Sequence, residues 1–252
     1  MRRIAVTLDA FEHSDLALEQ AVLLAQRMGA QLEGIFIEDI DLIEISELPF
    51  TRELRPVSRS ENEINVVRME QELRALARRA ERLLGEQARR HNVAWSFRIW
   101  RGSIDDDLLA ADLEADVLAL SRMGALLART RTRQRRSAAV TVLYSGSQAS
   151  RRALDTAIKL ANEPEKELFI LLPFVGQQET GRLQEMAKAQ VREAHASAHF
   201  VQTTDGSVGD LMEILADTRS AVLIIEREHE LLRALSQKQG LNLLDCPLLV
   251  VR

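Results

Sequence analysis

Short, almost wholly apolar runs alternate along this chain with longer stretches in which apolar side chains recur at helical spacing. Residues 4–8, Ile-Ala-Val-Thr-Leu, show no regular polar alternation, which is typical of a strand buried on both faces of a parallel sheet. After Ser14, a candidate helix N-cap, apolar residues recur at helical spacing until Gly29, a typical residue just beyond a helix. This order of strand, loop and helix predicts βαβ units with right-handed crossovers.

The same order of elements begins again in the second half of the chain. The run Val-Thr-Val-Leu-Tyr-Ser-Gly-Ser at 140–147 aligns with the first apolar run, so that Ser145 takes the place of Asp9. A second match joins Gly102-Ser-Ile-Asp-Asp to Gly206-Ser-Val-Gly-Asp, and both begin a helical pattern with a capping-box-like start. Two matches in the same order indicate an internal duplication.

The duplication predicts two α/β domains in tandem. We expect doubly wound, Rossmann-like parallel sheets in domains at residues 1–122 and 138–252, joined by a basic linker at 123–137. Residues 121–139 leave little room for a helix and a further strand, so the first domain is expected to lack its own fifth strand. Its fourth strand, at residues 116–120, would then be a sheet edge that needs a partner. The last strand of the second half, or a strand of another copy, is a candidate.

Composition and charge narrow the class of protein. The chain has 252 residues, of which 46% are hydrophobic and 28% charged, a balance typical of soluble globular domains. No apolar run approaches the roughly 18 residues that a membrane span needs, so we expect no membrane insertion. The single cysteine, Cys246, excludes an internal disulfide and favours a cytoplasmic location. A net charge of −5 argues against a general nucleic-acid binder.

These residues resemble the universal stress protein family in its tandem two-domain form. The resemblance is carried by the strand-Asp-loop-Ser-helix pattern at 6–18, by Gly102 with Ala-Asp-Val-Leu-Ala-Leu at 115–120, by Gly-Ser-Gln-Ala-Ser at 146–150, and by Cys-Pro-Leu-Leu-Val-Val at 246–251. It implies a five-stranded sheet in the order 3-2-1-4-5 and frequent dimeric assembly. Many members of that family bind ATP, and many others do not.

A sheet of that order opens between its first and fourth strands, where ligands of doubly wound folds bind. The positions to inspect are therefore residues 9–13 with 121–124, and 145–147 with 226–229. The ATP-binding relatives have Gly-x-x-Gly after the fourth strand and then Gly-Ser or Gly-Thr. Here the first copy has only Gly124 at that place.

The second copy departs further from the ATP-binding pattern. After its fourth strand it reads Glu226-Arg-Glu-His-Glu, whose carboxylates would repel a triphosphate. The adenine-side Asp of the family is matched by Asp9 but is replaced by Ser145 in the second copy. We therefore expect that the family's ATP site has been lost.

Two hypotheses about function follow. The first is a non-enzymatic stress-response or regulatory protein of bacterial type that uses no cofactor and acts through protein contacts, including a homodimer. The alternative is an adenine-nucleotide-binding module in which the first domain alone binds ATP or AMP through Asp9, Phe11, Ile37 and Gly124. Neither hypothesis assigns a catalytic residue or a metal ligand. A nucleotide hydrolase is disfavoured, because nothing supplies a metal-held phosphate.

Several titratable residues also have structural interpretations. Asp9 is either a ligand contact or a carboxylate bonded to loop amides. His13 suits a solvated loop better than a proton relay, and Asp105-Asp106-Asp107 suits the positive end of a helix better than a cation site. Cys246 suits a structural thiol better than a redox centre.

Two segments lie outside the repeated pattern. Residues 40–66 have no counterpart in the second half, and they are either a flap or partner surface or a cover packed over the first sheet. The linker at 123–137 contains five arginines, which are either solvated or available to RNA, an acidic lipid surface or an acidic partner.

Overall fold

The structure, a computed structural model, describes residues 2–8, 15–38, 52–54, 61–63, 66–102, 114–120, 139–162, 165–236, 241 and 243–252. The strands are β1 Arg3–Leu8, β2 Gln31–Glu38, β3 Arg52–Leu54, β4 Glu61–Glu63, β5 Trp95–Arg101, β6 Val117–Leu120, β7 Ala139–Leu143, β8 Glu167–Leu172, β9 His199–Gln202, β10 Ser220–Glu226 and β11 Leu248–Val251. The helices are α1 Asp15–Met28, α2 Val66–Arg90, α3 Gln148–Ala161, α4 Gln177–Glu193, α5 Val208–Asp217 and α6 Glu230–Ser236.

Within the described residues, nine strands form one sheet in the order β5-β2-β1-β6-β11-β10-β7-β8-β9. When the strands of this sheet are numbered separately in each half, the order from β5 to β9 is 3-2-1-4 in the first half and then 5-4-1-2-3 in the second. Strands within each half are parallel to one another, as the apolar runs and the βαβ order predict. The predicted doubly wound α/β fold is confirmed. A separate two-stranded antiparallel hairpin joins β3 to β4.

Strand β11 lies in the middle of the sheet and belongs to both halves. It is parallel to β10 and antiparallel to β6, with Leu248 opposite Leu120 and Val251 opposite Val117. The N–H of Arg252 extends the pairing by donating to the carbonyl of Asp116 at 3.0 Å. The last strand of the second half thus pairs with β6, and it is one of the two partners that the sequence leaves open for that strand.

The antiparallel pairing also sets where the ends of the strands lie. Because β6 and β11 run in opposite directions, the whole first half of the sheet runs opposite to the second. The carboxyl ends of β1 and β6 lie at one edge of the sheet, and those of β7 and β10 lie at the other. Ligands of doubly wound sheets bind at the carboxyl ends of the strands, so the two candidate places lie at opposite ends of the strands of this sheet.

Two apolar layers cover the faces of the sheet. Helices α1, α2, α3 and α4 pack on one face, where Leu18, Leu84 and Leu154 are among the fully buried side chains. Helices α5 and α6 pack on the other face. On the first face, the guanidinium of Arg27 in α1 donates to the carbonyls of Lys159 and Leu160 at the end of α3. The arginine thus satisfies carbonyls that the helix itself leaves unpaired and joins the two halves.

Candidate ligand site at the sheet edge

The first-half site proposed from the sequence lies mostly outside the described residues. Asp9, Phe11 and Gly124 are among the residues that are not described, and so are His13 and the acidic run beginning at Asp105. Ile37 is described. It lies near the end of β2, is 5% exposed, and packs in the same apolar layer as helices α5 and α6. The adenine-binding role of these four residues stays a prediction.

The described part of the first-half edge contains a buried carboxylate. Glu38, the last residue of β2, is 5% exposed and accepts a hydrogen bond from Nε of Arg101 at 2.7 Å. Its backbone carbonyl accepts the N–H of Gly102 at 3.2 Å. These contacts tie the ends of β2 and β5 together beside the predicted site.

In the second half, the structure brings together the two segments that the switch-point argument selects. Strand β7 leads into the loop that contains Ser145 and Ser147, and Glu226 is the last residue of the adjacent strand β10. The hydroxyl of Ser145 donates to Oε1 of Glu226 at 2.5 Å, and the hydroxyl of Ser147 donates to Oε2. Glu226 is only 6% exposed. Both oxygens of a buried carboxylate are therefore bonded where a ligand would enter.

The geometry of the serine loop depends on the glycine between the two serines. Gly146 has φ of +82°, in the region that favours glycine. A Cβ at this position would lie 2.5 Å from Cδ2 of Leu183 in α4. This turn aims both serine side chains at the same strand end, and the N–H of Ser147 donates back to Oγ of Ser145 at 3.3 Å.

Ser147 also begins helix α3. Its side chain accepts the N–H of Ser150 at 2.8 Å, which is the usual N-cap bond. Since the oxygen of Ser147 accepts from the helix, its hydroxyl proton is directed to Glu226. One short side chain therefore links the start of the helix to the carboxylate.

His229 lies in the turn that follows Glu226. Its N–H donates to the carbonyl of Glu226 at 3.2 Å, and its Nδ1 accepts the N–H of Leu231 at 3.2 Å. Burial lowers the pKa of His229 below its usual value, while the carboxylates of Glu226 and Glu230 act in the opposite direction. The imidazole is thus a neutral acceptor at Nδ1 that stabilises the start of α6, with its proton on Nε2.

Another carboxylate closes the loop between β9 and α5, which also follows the carboxyl end of a strand of the second half but lies away from Glu226. Oδ2 of Asp210 accepts the N–H groups of Thr204 at 2.6 Å, Asp205 at 3.3 Å and Gly206 at 3.4 Å. The side chain of Ser207 accepts the N–H of Asp210 at 3.1 Å, and this confirms the capping start predicted from the sequence. Hydrogen bonding from Ser207 lowers the pKa of Asp205.

Glu226 places a buried carboxylate at the end of β10, the place where the family resemblance predicts a phosphate-binding segment. The family's phosphate loop requires glycines and free N–H groups. Here the matching position carries the carboxylate of Glu226, and both of its oxygens accept serine hydroxyls. The sequence shows that a carboxylate lies at this position. It does not show that Ser145 and Ser147 donate to it, because those hydrogen bonds depend on side-chain directions that residue spacing does not determine.

Other candidate chemistry gives no further site within the described part of the chain. There, no three His, Cys, Asp or Glu side chains come close enough to hold a metal ion. The thiol of Cys246 is free and buried, and burial raises its pKa to about 12. None of the described helices is both long enough and apolar enough to cross a bilayer.

Comparison with solved structures identifies the fold. A universal stress protein from Archaeoglobus fulgidus DSM 4304 matches with a TM-score of 0.57 at 11% identity, over 99% of this chain and 96% of that one. A universal stress protein in complex with cAMP matches with a TM-score of 0.38 at 19% identity, over 45% of this chain and 95% of that one. A protein of the same family from Burkholderia pseudomallei matches with a TM-score of 0.36 at 16% identity, over 46% of this chain and 96% of that one.

The first of these matches extends over nearly the full length of both chains, so this chain has the fold of a universal stress protein. No protein-family model matches the sequence, and no curated protein sequence matches it significantly.

Proposed function

We propose that this chain is a universal-stress-protein-like regulatory protein that catalyses no reaction and acts through contacts with other proteins. The proposal includes a cytoplasmic location, which the single free cysteine supports, and self-association as a homodimer. The observation that carries it is the buried carboxylate of Glu226, bonded to both serines at the second-half switch point.

Glu226 opposes nucleotide binding in two ways. A phosphate group about 4 Å from this carboxylate would experience repulsion of roughly 1 kcal/mol in water and about 4 kcal/mol near a protein surface. To move aside, Glu226 would have to lose its two hydroxyl donors, and hydrogen bonds to charged groups contribute roughly 1.5–3 kcal/mol each. The repulsion and the loss of these hydrogen bonds both oppose phosphate binding, and they support a function of the second half that does not use ATP.

An exposed apolar loop supports the role of protein contacts. Phe174 and Val175, between β8 and α4, are each 54% exposed. Thr180 holds this loop in place, because its hydroxyl donates to the carbonyl of Pro173 at 3.1 Å and accepts the N–H of Val175 at 3.2 Å. These two adjacent apolar side chains, held in water by this loop, are the surface that we propose for protein contacts.

Calorimetry on the full-length chain tests the proposal. ATP, ADP and AMP would each be titrated into the protein with and without Mg²⁺, and we expect no binding in the micromolar range. Binding of ATP at low micromolar concentration would overturn the proposal. If Asp9→Ala then abolished that binding, the first-half nucleotide module would be the correct function.

A further inference from the structure

We infer that the outer edge of β5 binds an acidic, extended segment of a partner protein as an added strand, beside the arginine flank of α2 (Arg78, Arg82 and Arg89). β5 is the terminal strand of the nine-stranded sheet, and within the described residues it pairs with β2 alone. The inference rests on the proposed function only in that it names a class of partner for a protein that acts through contacts.

The backbone of β5 presents unpaired groups along this edge. The carbonyl of Ala94, just before the strand, and the N–H of Gly102, just after it, both bond to β2. Because successive residues of a strand direct their backbone groups to opposite sides, the odd-numbered Phe97, Ile99 and Arg101 direct theirs away from β2. None of the described residues bonds to these outward groups. A row of free donors and acceptors of this kind is a template for an added strand.

The side chains along this edge are open to a partner. Ile99 is 49% exposed, and the side chain of Arg101 is 72% exposed. The carboxylate that pairs with Arg101 belongs to Glu38 of β2 and is only 7% exposed, so the charge that reaches solvent from this pair is positive. The edge therefore suits an occupant with both apolar and acidic side chains.

Helix α2 turns outward as it passes over the terminal strand. Leu84 lies over β2, because a Cβ on Gly34 would approach its Cδ2 to 2.5 Å. The next residue of the helix, Gly85, faces Trp95 at the start of β5, where a Cβ would lie 2.8 Å from Cζ2 of the indole. The side of α2 that continues beyond Gly85 consequently borders the open edge.

The three arginines lie on that side of the helix. At helical spacing, Arg78, Arg82 and Arg89 project about 20° to 60° beyond Gly85. All three are exposed, and within the described part of the chain none of them forms a salt bridge. Glu81, the acid nearest to this flank, lies about 40° to the other side of Gly85. Carboxylates along an added strand would complement these free guanidinium groups.

The two features together identify an extended peptide. Main-chain bonds to the outward groups of β5 and carboxylates directed at α2 can both come from one acidic strand. A nucleic acid would use the arginines and leave the backbone groups of the edge unpaired. The partner class is therefore a protein segment in which acidic residues alternate with apolar ones.

Fluorescence anisotropy with the full-length chain tests the inference. The probe is a labelled peptide as long as β5 in which glutamate and valine alternate. One control peptide has lysine in place of glutamate, and a second is N-methylated along its backbone. We expect the acidic peptide to bind, more weakly as salt is added, and both controls to bind at least about tenfold more weakly. No binding of the acidic peptide at about 0.5 mM protein, or equal binding of either control, would overturn the inference.

Matched variants locate the site on the helix. Removing two charges of the arginine flank, by Arg78→Gln with Arg89→Gln, should weaken binding about fivefold or more. The control is Arg79→Gln with Arg90→Gln, because each of these residues lies about 100° further around the same helix. The control pair should change the affinity by no more than about twofold. Equal losses from the two pairs would count against the site.

A variant of β5 tests the backbone contact. Ile99→Pro removes an outward N–H without removing a bond to β2, and it should weaken binding about fivefold relative to Ile99→Ala. If Ile99→Pro does not fold, the N-methylated peptide decides the same point. Single-stranded DNA that depends on the arginine flank but not on Ile99→Pro would assign the flank to nucleic acid and overturn the inference.

Two further outcomes are separable from these. If Ile99→Pro weakens self-association in sedimentation velocity and leaves peptide binding unchanged, the edge pairs with a second copy and the inference is wrong. Tight ATP binding by the wild type would overturn the proposed function and leave the peptide result as it stands.

Discussion

Leu120, the last residue of β6, lies directly opposite Leu248, the first residue of β11, in an antiparallel pair. The two residues belong to different halves of a duplicated chain, and their pairing continues the sheet from one half into the other. Both are buried, at 4% and 2% exposure. The stability of the first half therefore depends on a strand that the second half supplies.

Shortening a side chain in β11 should destabilise the first half as well as the second. Leu249 is fully buried and lies opposite Ala119 of β6 and Ile224 of β10. We expect Leu249→Ala to lower the free energy of unfolding by about 2–5 kcal/mol. Both tryptophans of the chain, Trp95 and Trp100, lie in β5 at the far edge of the first half. Urea unfolding followed by their fluorescence would measure the effect.

The matched control for that experiment is Val201→Ala in β9, at the edge of the second half. Val201 is only partly buried, so the change should lower the midpoint less than Leu249→Ala does. A tryptophan transition that Leu249→Ala leaves in place would contradict the shared-strand interpretation.

Gly146 should not tolerate a side chain. Its φ of +82° disfavours any other residue, and a Cβ would press on Leu183. We expect Gly146→Ala to destabilise the chain by about 1–3 kcal/mol, measured by chemical denaturation. Gly181→Ala is the control, because Gly181 lies within α4 with open space at its Cβ. That change should instead stabilise the chain by up to about 1 kcal/mol. Equal effects of the two changes would refute the strain at Gly146.

Stability should fall as the solution becomes mildly acidic. Burial holds the pKa of His229 in the folded chain below its usual value of 6.5. The unfolded chain therefore binds the proton more readily, and the contribution of His229 is complete above pH 6.5 and decreases as the pH falls through that value. Protonation would also end the acceptance of the Leu231 N–H by Nδ1.

The measurement for this prediction is Tm between pH 7.5 and pH 5.5 for wild type and His229→Gln. The glutamine variant should be less stable at pH 7.5 and should lose less stability on acidification. His195→Gln serves as the control, because His195 lies in the exposed turn after α4. Parallel pH profiles for wild type and His229→Gln would exclude this role of His229.

The exposed loop at Phe174 and Val175 should affect association rather than folding. We expect the double change Phe174→Ser, Val175→Ser to alter the free energy of unfolding by no more than about 0.5 kcal/mol, because these side chains are largely in water. Sedimentation velocity should show weaker self-association than wild type. Ile99→Ser, at an exposed position of β5, is the control. If the double variant self-associates as wild type does, the loop is not the dimer contact.

The sequence predicts most of this fold because long elements carry readable periodicity. The apolar run at residues 4–8 becomes most of β1, and the helical spacing between Ser14 and Gly29 becomes α1 at Asp15–Met28. The sequence also predicts that β6 needs a partner strand, but it does not decide between β11 and a strand of another copy; the structure shows β11. The hairpin of β3 and β4 is not predicted, since strands of three residues are too short to show a period.

The site is less predictable than the fold. Topology alone brings residues 145–147 next to residues 226–229, as expected from the order of strands. The sequence treats Glu226 only as a charge that repels phosphate, whereas the structure shows its carboxylate bonded to two serines. This difference arises because the rotamers of three side chains, and the turn at Gly146, decide whether the charge faces solvent or the loop.

The central position of β11 has an evolutionary consequence. Duplicated domains can usually be separated, exchanged or lost one at a time, because each copy completes its own sheet. In this chain, removing the second half would expose the edge of β6, and removing the first would expose the antiparallel side of β11. The two halves share one sheet, so a mutation that redesigns one half is constrained by the strand that it shares with the other.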